Sequence, residues 1–403
     1  MIFKAPRVFQ HRNYRIFFAG QFISLTGTWL RSVAMGWLAY KLSNSPFMLG
    51  VVTFAAQSPM FFASPFVGVI ADRFEKRRVF ATTQALNMLQ MAILTVLTFT
   101  GLITIEILIF LSLCGGIVQA VEAPARQSFT IEMVGREDLR QAISYNAIMF
   151  NMARTLGPAV GGILVAAFGE AWCFLINTIS YAAVIGSLLA MKLEKREPIK
   201  ESDPWEDIKR GFSYVTHHAE IRTAIILSGT TGFFGMSFMA LMPAYAGDVL
   251  HMGSEALGLT VSAFGLGALL GAAIAGRVSE HYLFWLPTIA AAMVGTTLLF
   301  FANVTSLWLA LAFIFPAGLS WLLMAVTNNS QIQLLAADEM RGRVMSFYAM
   351  GALGSQPLGA LMLGYLADHF GVPFALTIGG LGCLLAAALS YSSLRRLKAK
   401  TRV

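Results

Sequence analysis

The chain has 403 residues, of which 57% are hydrophobic and only 12% charged, with 36 Gly and 31 Phe. A soluble domain carries about 25% charged residues, so this composition excludes a soluble enzyme of this size, and so apolar a chain is not disordered. The formal charge of +8 is a matter of placement: His aside, no charge lies between Arg78 and Glu106, between Glu106 and Glu122, or from Tyr282 through Ala337.

Apolar runs bounded by polar turns predict twelve helical spans, each near the length of about 20 residues that a bilayer requires. The first six fall at 15–40, 46–70, 79–100, 103–123, 141–168 and 171–192, and the second six at 221–247, 255–277, 283–302, 306–328, 343–367 and 373–394. The runs are long and lack alternation, which argues against a β-barrel. The basic start, Lys4, Arg7, Arg12 and Arg15, leads into a run too long for a signal peptide and without a small-residue cleavage site. Cys114, Cys173 and Cys383 all sit inside apolar runs and read as packing residues.

If the N-terminus is cytoplasmic, 26 of the 29 Lys and Arg fall on inner segments; Lys41 falls on an outer loop, and Arg31 and Arg154 within spans. This bias predicts both termini on the cytoplasmic side of the inner (cytoplasmic) membrane, and it accounts for the basic charge without nucleic acid. The charged stretch 193–220 separates an N-terminal unit, 1–192, from a C-terminal unit, 221–403. Within it Trp205, Ile208, Phe212 and Val215 recur at helical spacing, so part of it is expected to lie as an amphipathic helix on the inner surface. The two units repeat weakly. Asp138, Leu139 and Arg140 correspond to Glu339, Met340 and Arg341, and Trp172, Cys173 and Phe174 to Val372, Pro373 and Phe374, an offset of about 200 residues.

The turn after the second span holds Gly68, Ala71, Asp72, Arg73, Lys76, Arg77 and Arg78. It resembles the signature G-x-L-A-D-R-x-G-R-R of the major facilitator superfamily, with Ile70 for Leu and Glu75 for the usual Gly. A degenerate copy ends at Gly276 and Arg277 in the second half. The resemblance implies an all-α membrane protein: twelve transmembrane helices in two pseudo-symmetric six-helix bundles, working by alternating access. It also implies that Asp72 faces the N-terminus of the eleventh span, near Arg343. Gly68, Asp72, Arg73, Arg77, Glu122 and Arg126 are the expected gating residues, with Glu122 at the inner end of the fourth span as the acid for Arg77.

A second patch joins Glu122, Pro124, Arg126 and Gln127 to Asn146, Asn151, Arg154, Gly157, Pro158, Gly161 and Gly162, with Gly27 and Trp29 in the first span. It resembles the drug and siderophore exporters of that superfamily, and G-P-x-x-G-G at 157–162 resembles their antiporter motif. The same run also has the small-xxx-small spacing of ordinary helix packing.

Arg31 and Arg154 are the most informative charges. An intramembrane Arg costs about 2.5–3.5 kcal/mol on insertion scales, so each should face a cavity or a partner. Neither span holds a carboxylate. The expected substrate-binding set is Arg31, Arg154, Gln21, Asn146 and Asn151 in the first half and Asn328 and Gln331 in the second, with Asn329 and Gln333 as neighbours. A cationic cavity favours an anionic or polyhydroxylated amphiphile; the alternative is that either Arg bonds a backbone carbonyl or Glu122 and serves structure alone. Phe54, Phe61, Phe234 and Met236 are candidates for cavity lining or for packing.

No Walker-type phosphate loop occurs, and Gly265, Gly267 and Gly271 have helix-packing spacing. No nucleophile–base set or metal spacing is present, so no enzyme, cofactor or metal is expected. By resemblance the driving force is a proton gradient, with Glu122 as carrier, or the membrane potential alone. The expected function is export of a small siderophore- or drug-like amphiphile by a single chain in the bilayer. A lysolipid or lipid flippase, a nutrient importer, and a membrane receptor or scaffold are the alternatives.

Overall fold

The computed structural model describes the backbone of residues 6–73, 76–135, 137–191 and 204–400. Gly68, Asp72 and Arg73 lie where the backbone alone is described, so their gating contacts fall outside the described residues. Helices follow one another with short turns: α1 (Arg12–Ser43), α2 (Pro46–Arg73), α3 (Lys76–Phe99), α4 (Ile105–Val134), α5 (Leu139–Phe168) and α6 (Glu170–Ala190). The rest are α7 (Pro204–His217), α8 (Ala219–Thr231), α9 (Ser254–Ala275), α10 (Leu286–Ala302), α11 (Leu307–Leu335), α12 (Arg341–Phe370) and α13 (Val372–Lys400). No strand occurs among the described residues. Among the described residues, eight helical stretches are long and apolar enough to cross a membrane, and Pro46–Phe61 and Leu286–Ala302 are shorter apolar stretches.

Two predicted ends are corrected. The fourth and tenth apolar runs stop at Ala123 and Asn328, but α4 and α11 continue to Val134 and Leu335. The helices persist because the polar residues at the break have partners inside the protein. Glu122 accepts from Asn87 Nδ2 at 2.9 Å, and Asn328 donates to Ser228 Oγ at 2.6 Å. Glu122 is therefore twelve residues from the end of α4, roughly 18 Å along the axis, while the apolar stretch long enough to cross a membrane ends at Ala123, beside it.

The seventh predicted span is also irregular. After α8 the chain passes through a π-turn (Gly232–Met236), a 3₁₀ stretch (Ser237–Leu241), Met242–Ala244 and a second π-turn (Tyr245–Val249). Pro243 lacks an N–H and cannot continue the ladder. Ser237 Oγ lies within hydrogen-bond distance of the Gly232 carbonyl of its own segment, at 3.2 Å, and of the Gln356 carbonyl of α12, at 2.8 Å.

The repeat is visible in the turns. Gly169 between α5 and α6 has φ +87°, and Gly371 between α12 and α13 has φ +89°, a region that disfavours a side chain. Each donates its N–H to the carbonyl four residues back, Val165 and Ala367. The stretch 193–220 contains α7, whose Val215 is buried with Ile221, Ile332, Val344 and Tyr348. Phe212 meets the Phe347 ring of α12 at 6.2 Å. Trp205 and Ile208 lie outside the residues with described side chains.

Candidate functional site

Helices α2 and α5 both pack against the second half of the chain, α2 on α12 and α5 on α9. A β-carbon on Gly157 would run into Cβ of Trp29 on α1, and one on Gly161 would sit 3.2 Å from the Leu30 Cα. On the neighbouring face, a β-carbon on Gly162 would strike the Ser254 carbonyl of α9, and Gly258 of α9 packs directly on Pro158 and Gly162. Ser254 Oγ donates to the Gly162 carbonyl at 3.1 Å. The run at 157–162 is thus a packing surface used twice, with Gly157 and Gly161 against α1 and Pro158 and Gly162 against the opposite half. Removing side chains there lets two backbones approach, as small residues do between membrane helices.

Arg154 falls on the arc of α5 between these faces. Helical spacing sets it one turn from Gly157, which abuts α1, while Thr155 abuts Gly265 of α9. The opposite arc carries exposed Met152, Leu156, Val160 and Ile163, which suit lipid. Pro158 offers no N–H to the Arg154 carbonyl, which lies close to Gly265. The guanidinium Nε and Nη2 are buried with no hydrogen-bond partner, and so are Thr155 Oγ1 and Ser262 Oγ. Ser262 is four residues after Gly258 and three before Gly265, on the α9 face turned to α5.

Arg31 is in a different position. Its Nη1 contacts Met91 Sδ at 3.9 Å, and its charge acts on Glu122 of α4. Glu122 is buried, accepts from Asn87 and Gln84, and pairs with Arg126 one turn on at 3.5 Å. The two arginines thus differ: the charge of Glu122 acts on Arg31, whose Nε is nonetheless buried without a hydrogen-bond partner, whereas Arg154 has no ion pair among the described residues. Arg77 donates to the Leu188 carbonyl at the end of α6 at 2.7 Å.

The other expected binding residues divide by their partners. Asn146 accepts from Tyr14 and ties α5 to α1, and Asn151 donates to the Ala147 carbonyl of its own helix. Gln21 is buried with Oε1 unpaired. Asn328 is fully buried and bonds Ala224 O and Ser228 Oγ of α8, while Gln331 lines a small void of about 10 Å³ with Glu220, Thr288 and Ser390. That void has room for about one water, and the bonds of Asn328 tie α11 to α8. Phe61 packs on Gly354 and Phe234 on Gly382.

Sequence reading missed a set of bonds at the end bearing the α1–α2 and α12–α13 turns. Tyr40 OH donates to Asp248, Ser45 Oγ donates to Asp368 at 2.6 Å, and Lys41 pairs with Glu170 at 3.0 Å. Asp248 and Asp368 also line an open cavity of about 500 Å³ with Asn44, His251 and Thr305. The available signal was the concentration of acids on the loops where Lys41 is the lone basic residue.

A family model described as transmembrane secretion effector matches residues 5–402. The chain is 26% identical over 396 residues to the staphyloferrin A transporter of Staphylococcus aureus, covering 96% of this chain and 97% of the relative. It is 23% identical over 393 residues to the enterobactin exporter EntS of Citrobacter koseri, covering 96% and 93%. A bacterial homologue of the human lysosomal transporter Spinster has the same fold with a TM-score of 0.77 at 11% identity, covering 97% of this chain and 98% of that one. The nucleoside transporter NupG superposes with a TM-score of 0.75 at 12% identity, covering 95% and 100%. A match along the whole chain, on a multi-pass helical fold whose relatives are transporters and not enzymes, assigns the family: this chain belongs to the transmembrane secretion effectors of the major facilitator superfamily.

Proposed function

We propose that the chain exports a small anionic amphiphile of the siderophore type across the inner membrane by alternating access, driven by proton antiport. In this reading twelve spans form two six-helix units, 1–192 and 221–403, joined by 193–220, with both termini cytoplasmic and one chain as the working unit. The carrying observation is Arg154: a guanidinium with two buried, unpartnered nitrogens on the arc between α1 and α9. An unpaired buried cation is costly, and an anionic cargo relieves that cost only while bound. The fork geometry suits carboxylate oxygens. Export over import follows the relatives named as a staphyloferrin A transporter and an enterobactin exporter. Glu122, among Asn87, Gln84 and Arg126, is the carboxylate placed to exchange a proton as its neighbours shift.

The test is flux in proteoliposomes with staphyloferrin A, enterobactin and a lysophospholipid as probes, with and without a pH gradient. At least one siderophore is expected to move, faster with the gradient, and Arg154→Gln should cut its flux about ten- to a hundredfold, the worth of a charge-assisted hydrogen bond. Equal flux in wild type and Arg154→Gln removes the anion-site reading. Movement of the lysophospholipid and of neither siderophore turns the assignment to a lipid flippase.

A further inference from the structure

Arg154 does not stand alone on its arc of α5. Phe150 lies one turn before it and Gly157 one turn after, and both touch the same residue of α1. The Phe150 ring meets the Trp29 indole edge-on, with centroids 5.9 Å apart and planes at 71°. Gly157 brings the α5 backbone against the Trp29 Cβ. Trp29 is therefore pinned from one side and holds Phe150 from the other, with the guanidinium on the same face between the two contacts.

The pair is not sealed into the core. Phe150 is 41% exposed, Trp29 is partly buried, and Ala147, one turn before Asn151, is exposed as well. These residues lie on the arc facing the space between α1 and α9, away from the lipid-facing Met152, Leu156 and Val160. The neighbouring hydroxyls on α1 are already used, Thr26 on the Phe22 carbonyl and Ser32 on the Trp29 carbonyl. What the arc offers a ligand is two aromatic surfaces and one cation.

We infer that Trp29 and Phe150 determine specificity at this site, selecting a flat aromatic group whose single negative charge is bound by Arg154. The inference rests on the anion-site reading of Arg154. An edge-to-face pair presents both a ring face and a ring edge, so a third ring completes a favourable cluster that a saturated ring of the same size does not. Preference for one charge follows from the same geometry. Arg154 is the one cation on this arc, and Arg31 and Arg126 are drawn toward the same carboxylate, Glu122, so a second or third carboxylate of the ligand would be buried there without a partner.

The test uses the purified full chain in lipid nanodiscs and calorimetric binding of three probes: salicylate, cyclohexanecarboxylate and citrate. Wild type should bind salicylate about fivefold more tightly than cyclohexanecarboxylate, the worth of one aromatic contact, and citrate more weakly than either. Phe150→Leu and Trp29→Leu should each bring the salicylate preference close to unity while leaving cyclohexanecarboxylate affinity within about twofold. Arg154→Gln should weaken both monoanions about tenfold or more. Trp29 supports Gly157, so its replacement can disturb folding; Phe150→Leu touches no backbone contact and carries the test by itself. An unchanged salicylate preference in Phe150→Leu overturns the aromatic subsite and leaves the anion site intact. Equal binding of both monoanions by wild type and Arg154→Gln overturns the anion site beneath it, and failure of wild type to bind either monoanion overturns both. Citrate bound more tightly than salicylate overturns the single-charge selection.

Discussion

Tyr40, near the end of α1, donates its hydroxyl hydrogen to the carboxylate of Asp248, 208 residues away and beyond α8. Ser45 and the backbone N–H of Phe47 make the same kind of link to Asp368 at the end of α12. Donors from the first half thus meet carboxylates from the second at one end of the molecule. Each link to a charged acceptor contributes about 1.5–3 kcal/mol, and all of them must break for that end to open. Tyr40→Phe combined with Ser45→Ala is expected to favour the state open at this end by about tenfold or more. Spin labels on Leu102→Cys in the α3–α4 turn and Phe370→Cys at the end of α12, both exposed, report the change as a longer component in the distance distribution. An unaltered distribution would mean that these bonds do not latch the two halves.

The glycines of α5 and α6 make a paired prediction. A methyl on Gly162 meets the Ser254 carbonyl and the Gly258 backbone of α9, neither of which can rotate away, whereas Gly186 has nothing within 4 Å. Gly162→Ala should cost about 1–3 kcal/mol by overpacking and slow transport, because it wedges the seam between halves. Gly186→Ala should stabilise α6 by about 0.5–1 kcal/mol through lost backbone entropy in the unfolded chain. Thermal unfolding in detergent separates the two, and the same sign for both would refute the argument.

Much of the scaffold was legible because lipid forces the pattern: a span must be apolar, and a charge outside it must lie at an end. The two largest boundary errors came where that rule is suspended, at Glu122 and Asn328, whose partners belong to other helices and leave no trace in local sequence. The site was half legible for the same reason. Arg31 and Arg154 are equally conspicuous in sequence, but the acid that offsets one of them sits on α4, and no spacing within α1 reveals it. Glycine spacing at 157–162 correctly signalled close packing, yet that packing is against two helices at once.

Asn328 separates a structural polar residue from a binding one. It is fully buried, its Nδ2 satisfies Ser228 Oγ and the Ala224 carbonyl, and its own Oδ1 is unpaired. Asn328→Leu removes the α11–α8 bonds and should cost about 1–3 kcal/mol of stability. Substrate affinity in the surviving folded protein should equal that of wild type. Binding of the transported siderophore in nanodiscs checks this, and a weakened affinity at full folding would return Asn328 to the binding surface.

Glu122 carries the argument about coupling. Its carboxylate is buried on α4, accepts from Asn87 Nδ2, pairs with Arg126 at 3.5 Å and acts on Arg31. Replacement by Gln keeps an acceptor for Asn87 but removes the charge and the exchangeable proton, while replacement by Ala also leaves the buried amides of Asn87 and Gln84 short of a partner. Glu122→Ala should therefore lose about 1–3 kcal/mol of stability, more than Glu122→Gln. If Glu122 carries the proton, Glu122→Gln should retain downhill substrate exchange across liposomes of equal pH and lose the acceleration that a pH gradient gives. Exchange and gradient-driven flux measured on one preparation decide the matter. A gradient effect that survives in Glu122→Gln reduces Glu122 to the counter-charge of Arg31 and Arg126. A variant that loses exchange as well, while folded, places the carboxylate in the conformational change itself, because the same charge acts between α4 and Arg31 of α1.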